Sequence, residues 1–298
     1  MAELIAMFGR TKLVERNLDT AIFDLNVKNP QNLQNLLGGT IKIVKIWETD
    51  SPLNKSSKEM MFQKIEKELF SQFESHSGKI PFSVSALSFK DPREYNIKEL
   101  LNFSKKILKS LGLNSRFVNK NFQNTKPSTI YKARVLEKGI DINVIKGENE
   151  WFLGHTVAIQ DIDSYSLRDY EKPCRDAKAG MMPPKLAQVM INLAGPDIKS
   201  IYDPFCGTGT ILMEGILTGK TVVGSDIEPG MIEYSEKNLN WLMEKFNFAT
   251  KPSFRLFTKD SRFLIKENFI PPGGAVPEKI DAVITEGYLG NPVSRLPS

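Results

Sequence analysis

The sequence predicts an α/β protein whose C-terminal part is built around a doubly wound parallel sheet. Short apolar runs alternate there with segments of helical periodicity, the pattern of a parallel sheet with helical crossovers. The first of these runs leads into a glycine-rich turn, DPFCGTGT at residues 203–210, that opens a helix. A composition of 41% hydrophobic and 25% charged residues over 298 positions suits a globular chain of about two domains.

The predicted elements of this C-terminal part follow from periodicity and turn residues. Its first helix carries an apolar stripe of Leu186, Val189, Met190 and Leu193. The predicted helices are Lys185–Ala194, Ile211–Leu217 and Met231–Lys245, and the predicted strands are Ser200–Tyr202, Thr221–Ser225, Ser253–Phe257 and Ala282–Thr285. A sheet of this kind binds ligands at the carboxyl ends of its strands.

The preceding residues divide into three segments. Residues 1–55 open on a helix without the strand that a complete βα unit needs before it, and we interpret them as the remnant of a ferredoxin-like unit. Residues 56–165 alternate helices and strands, which predicts a compact α/β module. Residues 166–184 are polar and contain Lys172-Pro173 and Pro183-Pro184, so we interpret them as a connector to a domain at residues 185–298.

The composition argues against several classes of function. Cys174 and Cys206 do not lie at a metal-ligand spacing, and His76 and His155 are the only histidines, so we expect neither a metal site nor a histidine-dependent triad. No apolar run approaches the roughly 18 residues of a membrane helix, and the N-terminus does not resemble a signal peptide. We therefore expect a cytoplasmic protein without a membrane partner.

The acid at the head of the glycine turn is the most informative residue. A pyrophosphate would be repelled by Asp203, whereas the α-amino group of S-adenosylmethionine would be attracted to it. The sequence also lacks the G-x-G-x-x-G pattern of nicotinamide cofactors and the Gly-Lys-Ser/Thr of a nucleotide P-loop. The turn therefore predicts S-adenosylmethionine as cofactor, contacted by Asp203, Phe205, Cys206, Gly207, Thr208 and Gly209.

Two further acids follow the next two predicted strands. Asp226 lies 23 residues after Asp203, the distance expected of an acceptor for ribose hydroxyls, and it is followed by Ile227. Asp260, with Ser261, ends the third strand and is placed to accept from the adenine amine. Each aspartate alone is more often a cap or turn residue, but three acids at three successive strand ends favour a cofactor site.

The segment after the last predicted strand supplies candidates for chemistry on a base amine. Such an amine is a poor nucleophile because its lone pair is delocalised into the ring. A carboxylate and a backbone carbonyl that accept its two N–H bonds would favour a pyramidal nitrogen, and an aromatic ring would stack on the base. Glu286, Gly287 and Tyr288 fit these roles, although a surface turn is the simpler interpretation when this segment is considered alone.

A basic stretch at residues 101–138 predicts a nucleic-acid partner. It holds nine basic residues against the single acid Glu137, a net charge of +8, with phenylalanine and tyrosine interleaved. The residues we assign to RNA binding are Lys105, Lys109, Arg116, Lys120, Lys126, Lys132 and Arg134. A solvated helix face is the alternative for such a run of charge.

Together these motifs resemble the THUMP-domain RNA methyltransferases, and especially the family that makes N2-methylguanosine at position 10 of tRNA. The resemblance covers about residues 56–298 and rests on the basic α/β module, the connector RDYEKPCRDAKAGMMPPKLA, the DPFCGTGT turn and the strand end GSDI. It implies a Rossmann-like class I methyltransferase domain after a THUMP-like module, with tRNA as substrate. It also implies that the connector helps to close over the methionine part of the cofactor.

The sequence departs from this family in two respects. The family's [D/N]-P-P-[Y/F] tetrapeptide is replaced by Glu286-Gly287-Tyr288-Leu289, and only about four of seven expected strands are present, as in a fragment. A DNA adenine or cytosine amino-methyltransferase and a non-catalytic RNA-binding protein with a vestigial methyltransferase half stay open as alternatives. The sequence also leaves open whether a small activating partner subunit is required.

Overall fold

The computed structural model describes residues 1–91, 94–176, 181–248, 252–263 and 279–287. The chain forms two compact units. The mixed-sheet unit consists of residues 10–35 and 40–160, and the parallel-sheet unit of residues 1–9, 36–39 and 161–298. The predicted boundary at residue 55 does not coincide with this division, since the first nine residues group with the C-terminal part of the chain.

The mixed-sheet unit contains a five-stranded sheet and a separate hairpin. After helix α1 (Ala2–Phe8) of the other unit, its elements are β1 (Leu13–Arg16), β2 (Ala21–Phe23), α2 (Pro30–Leu36), β3 (Lys42–Ile46), α3 (Lys58–Phe73), β4 (Lys79–Leu87), α4 (Ile97–Ser110), β5 (Asn114–Phe117), α5 (Pro127–Lys132), α6 (Val135–Lys138), β6 (Ile140–Lys146) and β7 (Trp151–Ile159). The strand order is β3-β7-β6-β4-β5, parallel between β6, β4 and β5 and antiparallel elsewhere. The predicted α/β module is thus present in the structure.

One face of this sheet packs against α3 and α4. Alternate residues of the strands, such as Val84 on β4 and Ile142 on β6, are fully buried, and they meet the helical stripe that includes Ile65 and Leu101. Residues 127–138 form two short helices, α5 and α6, because Arg134 adopts a left-handed conformation with φ of 53° between them.

The parallel-sheet unit contains the doubly wound sheet. Its remaining elements are α7 (Ile162–Tyr170), α8 (Pro184–Leu193), β8 (Ser200–Asp203), α9 (Thr210–Leu217), β9 (Thr221–Asp226), α10 (Pro229–Lys245), β10 (Phe254–Thr258) and β11 (Ala282–Val283). All strand pairs are parallel and the order is β10-β9-β8-β11. In order of appearance this is 3-2-1-4, the order of a Rossmann-like sheet, so the predicted fold class is confirmed.

The segment predicted as a polar connector is part of this packed unit. Residues 166–170 belong to α7, and both Arg168 and Lys172 are buried, at 5% and 3% exposure. Sequence polarity suggested a linker because these charged side chains are normally exposed, whereas here each has a partner inside the unit.

Within the described ranges, no helix is both long and apolar enough to span a bilayer.

A buried carboxylate fixes the N-terminal helix in the parallel-sheet unit. Glu3 is 4% exposed, and its two oxygens accept from the N–H groups of Gly38 and Gly39 at 2.8 and 2.9 Å. Asn192 of α8 donates to Glu3 at 2.8 Å and to the Leu36 carbonyl at 2.6 Å. These bonds explain why residues 36–39 group with this unit.

We expect Glu3→Ala to destabilise the protein by about 3 kcal/mol, because two buried donors, the Gly38 N–H and Asn192, and the part-buried Gly39 N–H lose their acceptor. Equilibrium urea denaturation followed by circular dichroism measures the change. Glu236→Ala, at an exposed position of α10, is the matched control. Equal midpoints for the two variants would show that the Glu3 carboxylate does not hold the helix.

Candidate functional site

Asp203 is a buried, half-satisfied carboxylate at the end of β8. It is 2% exposed, and its Oδ1 accepts from the Phe205 N–H at 3.1 Å and from the Thr285 hydroxyl at 2.7 Å. No donor among the described residues contacts Oδ2. Burial raises the pKa of Asp203 to about 6, the two hydrogen bonds lower it, and Asp226 and Glu286 raise it. A cationic group placed beside Oδ2 would therefore be bound strongly.

The glycine turn is held by side chains of α10. Ser235 donates to the Gly207 carbonyl and Asn238 donates to the Thr208 carbonyl, both at 2.8 Å. Gly207 and Gly209 have φ of 51° and 82°, and a Cβ on Gly209 would lie 2.8 Å from the Ser235 hydroxyl. The turn thus has one conformation, fixed from the neighbouring helix.

Three apolar side chains are exposed beyond the carboxyl ends of the strands. Phe205 follows β8, Ile227 follows β9 and Phe263 lies in the short turn after β10. Cys206 is buried instead, and burial raises the pKa of its thiol to about 12. Exposed apolar groups at a strand edge suit a flat heterocyclic ligand, whereas Cys206 has a packing role.

Asp226 ends β9 and connects to the glycine turn. Its Oδ2 accepts from the Gly207 N–H and its Oδ1 from the Glu228 N–H, each at 3.0 Å. Each carboxylate oxygen can accept a further hydrogen bond, so the ribose role predicted for Asp226 is compatible with these contacts. The sequence did not indicate that this acid also fixes the turn.

Asp260 lies two residues after β10 and is paired locally. Its carboxylate accepts from Arg262 Nη2 at 2.6 Å and from Arg262 Nε at 3.0 Å. These bonds hold the pKa of Asp260 at about 2. Ser261 lies between Asp260 and Arg262, in the short turn that brings these two side chains together. An adenine contact at Asp260 stays a prediction, and it would share the carboxylate with Arg262.

The predicted amine acceptor at residues 286–288, here called the acceptor segment, is separated from β11 by Ile284 and Thr285. Glu286 and Gly287 are exposed, and Tyr288 lies outside the described residues. The negative charge of Glu286 is close enough to Asp203 to raise the pKa of that buried carboxyl group. The structure thus brings the first residue of the predicted amine acceptor to the predicted cofactor site.

The strand order explains why these two groups meet. β8 and β11 are neighbours, although β9 and β10 intervene in the sequence, and β9 lies on one side of β8 while β11 lies on the other. Ligands of such sheets bind in the crevice at this reversal point. The hydrogen bond from Thr285 to Asp203 joins the two strand ends there.

A buried polar cluster lies behind the glycine turn. Arg168 of α7 donates to Glu214 of α9 at 2.6 Å, and Lys172 donates to the Thr210 hydroxyl at 2.9 Å. Burial raises the pKa of Glu214 and lowers the pKa of Lys172. The segment that was predicted to be a connector thus contacts the first residue of α9, immediately after the turn.

The residues that sequence reasoning missed at this site are Thr285, Ser235, Asn238, Arg168 and Lys172. Ser235 and Asn238 lie three apart on a predicted helix, a spacing that places them on one face. Thr285 directly precedes Glu286, and this position at the end of a predicted strand was the one available signal. Which groups these polar residues contact depends on the fold.

The seven residues assigned to RNA binding are all exposed and lie in the mixed-sheet unit. Within the described part of the chain, the ion pair of Arg134 with Glu137 is the only one that involves them. Lys105 lies over the Phe117 ring at 5.9 Å. The unit therefore carries largely uncompensated positive charge on side chains that a polyanion can reach.

Comparison with known proteins identifies the domain that holds the turn. Residues 173–261 match the family described as UPF0020, RMKL-like methyltransferase domain. This range includes the glycine turn, Asp226 and Asp260, so the matched region coincides with most of the candidate site.

Two curated relatives match longer stretches of the chain, and a third matches a shorter one. A tRNA (guanine(10)-N2)-dimethyltransferase of Methanocaldococcus jannaschii is 31% identical over 173 residues, 55% of this chain and 44% of that protein. The protein of the same description from Methanothermobacter thermautotrophicus is 38% identical over 112 residues, 37% and 28% of the two chains. The Type II methyltransferase M.MvaI of Kocuria varians is 50% identical over 52 residues, 16% and 12% of the two chains.

The matched region of this chain spans less than half the length of these relatives. The family match and the curated relatives agree on the same type of domain. Residues 173–261 are therefore similar to the methyltransferase domain of the UPF0020 family, in a chain similar in sequence to part of the tRNA (guanine(10)-N2)-dimethyltransferases.

Proposed function

We propose that the protein is an S-adenosylmethionine-dependent methyltransferase that modifies an exocyclic base amine of RNA, with guanine N2 of tRNA as its target. The observation that carries this proposal is Asp203, a buried carboxylate with one unsatisfied oxygen at the reversal point of a methyltransferase sheet. The related dimethyltransferases supply the choice of tRNA guanine N2 as substrate.

The residues present fit the cofactor. S-adenosylmethionine supplies an electrophilic methyl group on a sulfonium centre. Oδ2 of Asp203 would accept from its α-ammonium group, and Asp226 would accept from its ribose hydroxyls while it keeps its bond to Gly207. Phe205 and Ile227 offer exposed apolar surface for the adenine ring. Asp203 thereby distinguishes a cationic ligand from a phosphate-bearing one.

The acceptor segment would prepare the target amine. Glu286 and the Gly287 carbonyl would each accept one N–H of the amine, which localises the nitrogen lone pair and directs it at the methyl group. Tyr288 would stack on the base. Direct transfer then requires position and alignment more than a strong base, so an exposed carboxylate suffices.

The mixed-sheet unit would bind the RNA backbone. We assign it a THUMP-like role, in which the basic residues of 101–138 neutralise phosphates and a target base leaves its stack to reach the methyltransferase site. A substrate of this class is consistent with the cytoplasmic location that we expect. Addition of cell extract to the transfer assay tests whether the protein requires a small partner subunit.

We expect the protein to transfer methyl groups to unmodified tRNA and Glu286→Gln to transfer them about 100-fold more slowly, because one amine acceptor is weakened. Tritium incorporation from labelled S-adenosylmethionine measures the rate, and mass spectrometry of the digested RNA identifies the nucleoside. Cofactor affinity should be unchanged, and Glu233→Gln on the exposed side of α10 is the matched control.

Two other outcomes would replace this proposal. Preferential incorporation into duplex DNA would establish the DNA amino-methyltransferase alternative. Binding of tRNA and cofactor without transfer, with and without added cell extract as a source of a partner subunit, would establish a non-catalytic RNA-binding protein.

We expect Asp203→Asn to lose cofactor binding and to gain stability. The folded-state pKa of about 6 lies above the ordinary 3.8, so the buried charge destabilises the fold above pH 6 by roughly 3 kcal/mol, and this penalty fades as the pH falls towards 4. Isothermal titration calorimetry measures binding, and thermal unfolding at pH 7.5 and pH 4.5 measures stability. Asp163→Asn, an exposed site on α7, is the control. Retained affinity would exclude Asp203 from the cofactor site.

We expect Lys105, Lys109 and Lys132, replaced together by Gln, to weaken tRNA binding and to reduce the slope of log affinity against log salt by about 2. Fluorescence anisotropy at 50 to 300 mM salt measures the slope. Replacement of Lys28, Lys55 and Lys90, which are exposed in the same unit, is the charge-matched control. An unchanged slope in the first variant would remove the basic residues from the RNA-binding surface.

A further inference from the structure

One hydrogen bond joins the two strand ends that flank the reversal point of the parallel sheet. Thr285 Oγ1 lies 2.7 Å from Oδ1 of Asp203, and the Phe205 N–H lies 3.1 Å from the same oxygen. The Phe205 bond spans two residues of one turn, whereas the Thr285 bond spans 82 positions of sequence. Only the fold brings this hydroxyl to the carboxylate.

The two donors on Oδ1 fix the orientation of the carboxylate. The backbone N–H of Phe205 defines one direction and the Thr285 hydroxyl the other, so rotation about the last side-chain bond of Asp203 would break at least one of them. Oδ2 is then held in a single position with its acceptor sites available to a ligand. A carboxylate without this second donor could turn and satisfy itself elsewhere.

Because the charged groups near Asp203 are acidic, the ionised form of Asp203 depends more strongly on the hydrogen bond from the Thr285 hydroxyl. Asp226 of β9 and Glu286 beyond β11 are negatively charged, and burial also disfavours a charge on Asp203. The charge of Asp203 in turn raises the pKa of its two neutral titratable neighbours, Tyr202 and Cys206. The hydrogen bonds from the Thr285 hydroxyl and the Phe205 N–H lower the pKa of Asp203, so these two donors stabilise its ionised form.

We propose that Thr285 is a positioning residue that holds the Asp203 carboxylate in the orientation and charge state that bind the α-ammonium group of S-adenosylmethionine. This inference rests on the proposed cofactor site and adds a residue to it. Thr285 acts through Asp203 and does not itself touch the cofactor.

The pH dependence of ligand binding tests this role. S-adenosylhomocysteine is titrated by calorimetry between pH 5 and pH 8 into the wild-type protein, Thr285→Val and Thr285→Ser. We expect wild-type affinity to fall below a midpoint near pH 6, where Asp203 takes up a proton. Loss of a hydrogen bond to a charged group should raise this midpoint in Thr285→Val by about one pH unit.

At pH 6 the expected result is about fivefold weaker binding by Thr285→Val, with the difference falling below about twofold at pH 8. Thr285→Ser keeps the hydroxyl and should keep the wild-type midpoint. Thr221→Val, at the opposite end of β9 from the site, is the matched control for the substitution. Thermal unfolding at each pH verifies that all variants are folded, and Thr285→Ala replaces Thr285→Val if the latter is not.

A second ligand identifies the group that titrates. 5′-Methylthioadenosine lacks the amino acid part, so its affinity should show no midpoint near pH 6 in either protein. Identical pH profiles for wild type and Thr285→Val, or a shared midpoint for both ligands, would overturn the positioning role alone. No binding of S-adenosylhomocysteine by the wild-type protein at pH 8 would overturn the proposed function itself.

Discussion

The burial of one negative charge, on Asp203 between β8 and β11, organises the rest of the parallel-sheet unit. A buried carboxylate is costly unless hydrogen bonds satisfy it, and here Oδ1 has two donors whereas Oδ2 has none among the described residues. The satisfied oxygen depends on the backbone of the glycine turn and on Thr285 beyond β11. The fold therefore has to place a turn and a distant strand end within one hydrogen bond of the same side chain.

The surrounding polar contacts serve this placement. Asp226 holds the turn through Gly207, Ser235 and Asn238 hold its carbonyl groups from α10, and Lys172 holds Thr210 behind it. These contacts join the turn to β9, to α10 and to the segment that follows α7. A turn fixed from several sides needs no rearrangement when a ligand arrives, so less binding free energy is lost to ordering.

The mixed-sheet unit carries exposed positive charge, whereas the parallel-sheet unit carries the candidate cofactor site. The lysines and arginines assigned to RNA binding lie within residues 105–134, and all but Arg134 are without a carboxylate partner among the described residues. Long-range attraction of a polyanion depends on this uncompensated charge and needs little geometric accuracy. Recognition of a single base amine does need such accuracy, and it depends on the strand ends.

The α/β class, the glycine turn and the acids at successive strand ends can be predicted from the sequence alone, because they depend on local periodicity and on residues close in the chain. Most predicted strands and helices agree with the structure within a few residues. Periodicity could not show that α1 joins the parallel-sheet unit through Glu3, or that Arg168 and Lys172 are buried, since both facts depend on partners far along the chain. The contact between Thr285 and Asp203 depends on the tertiary structure. The reason is physical: strand order, not sequence distance, sets which strand ends are neighbours.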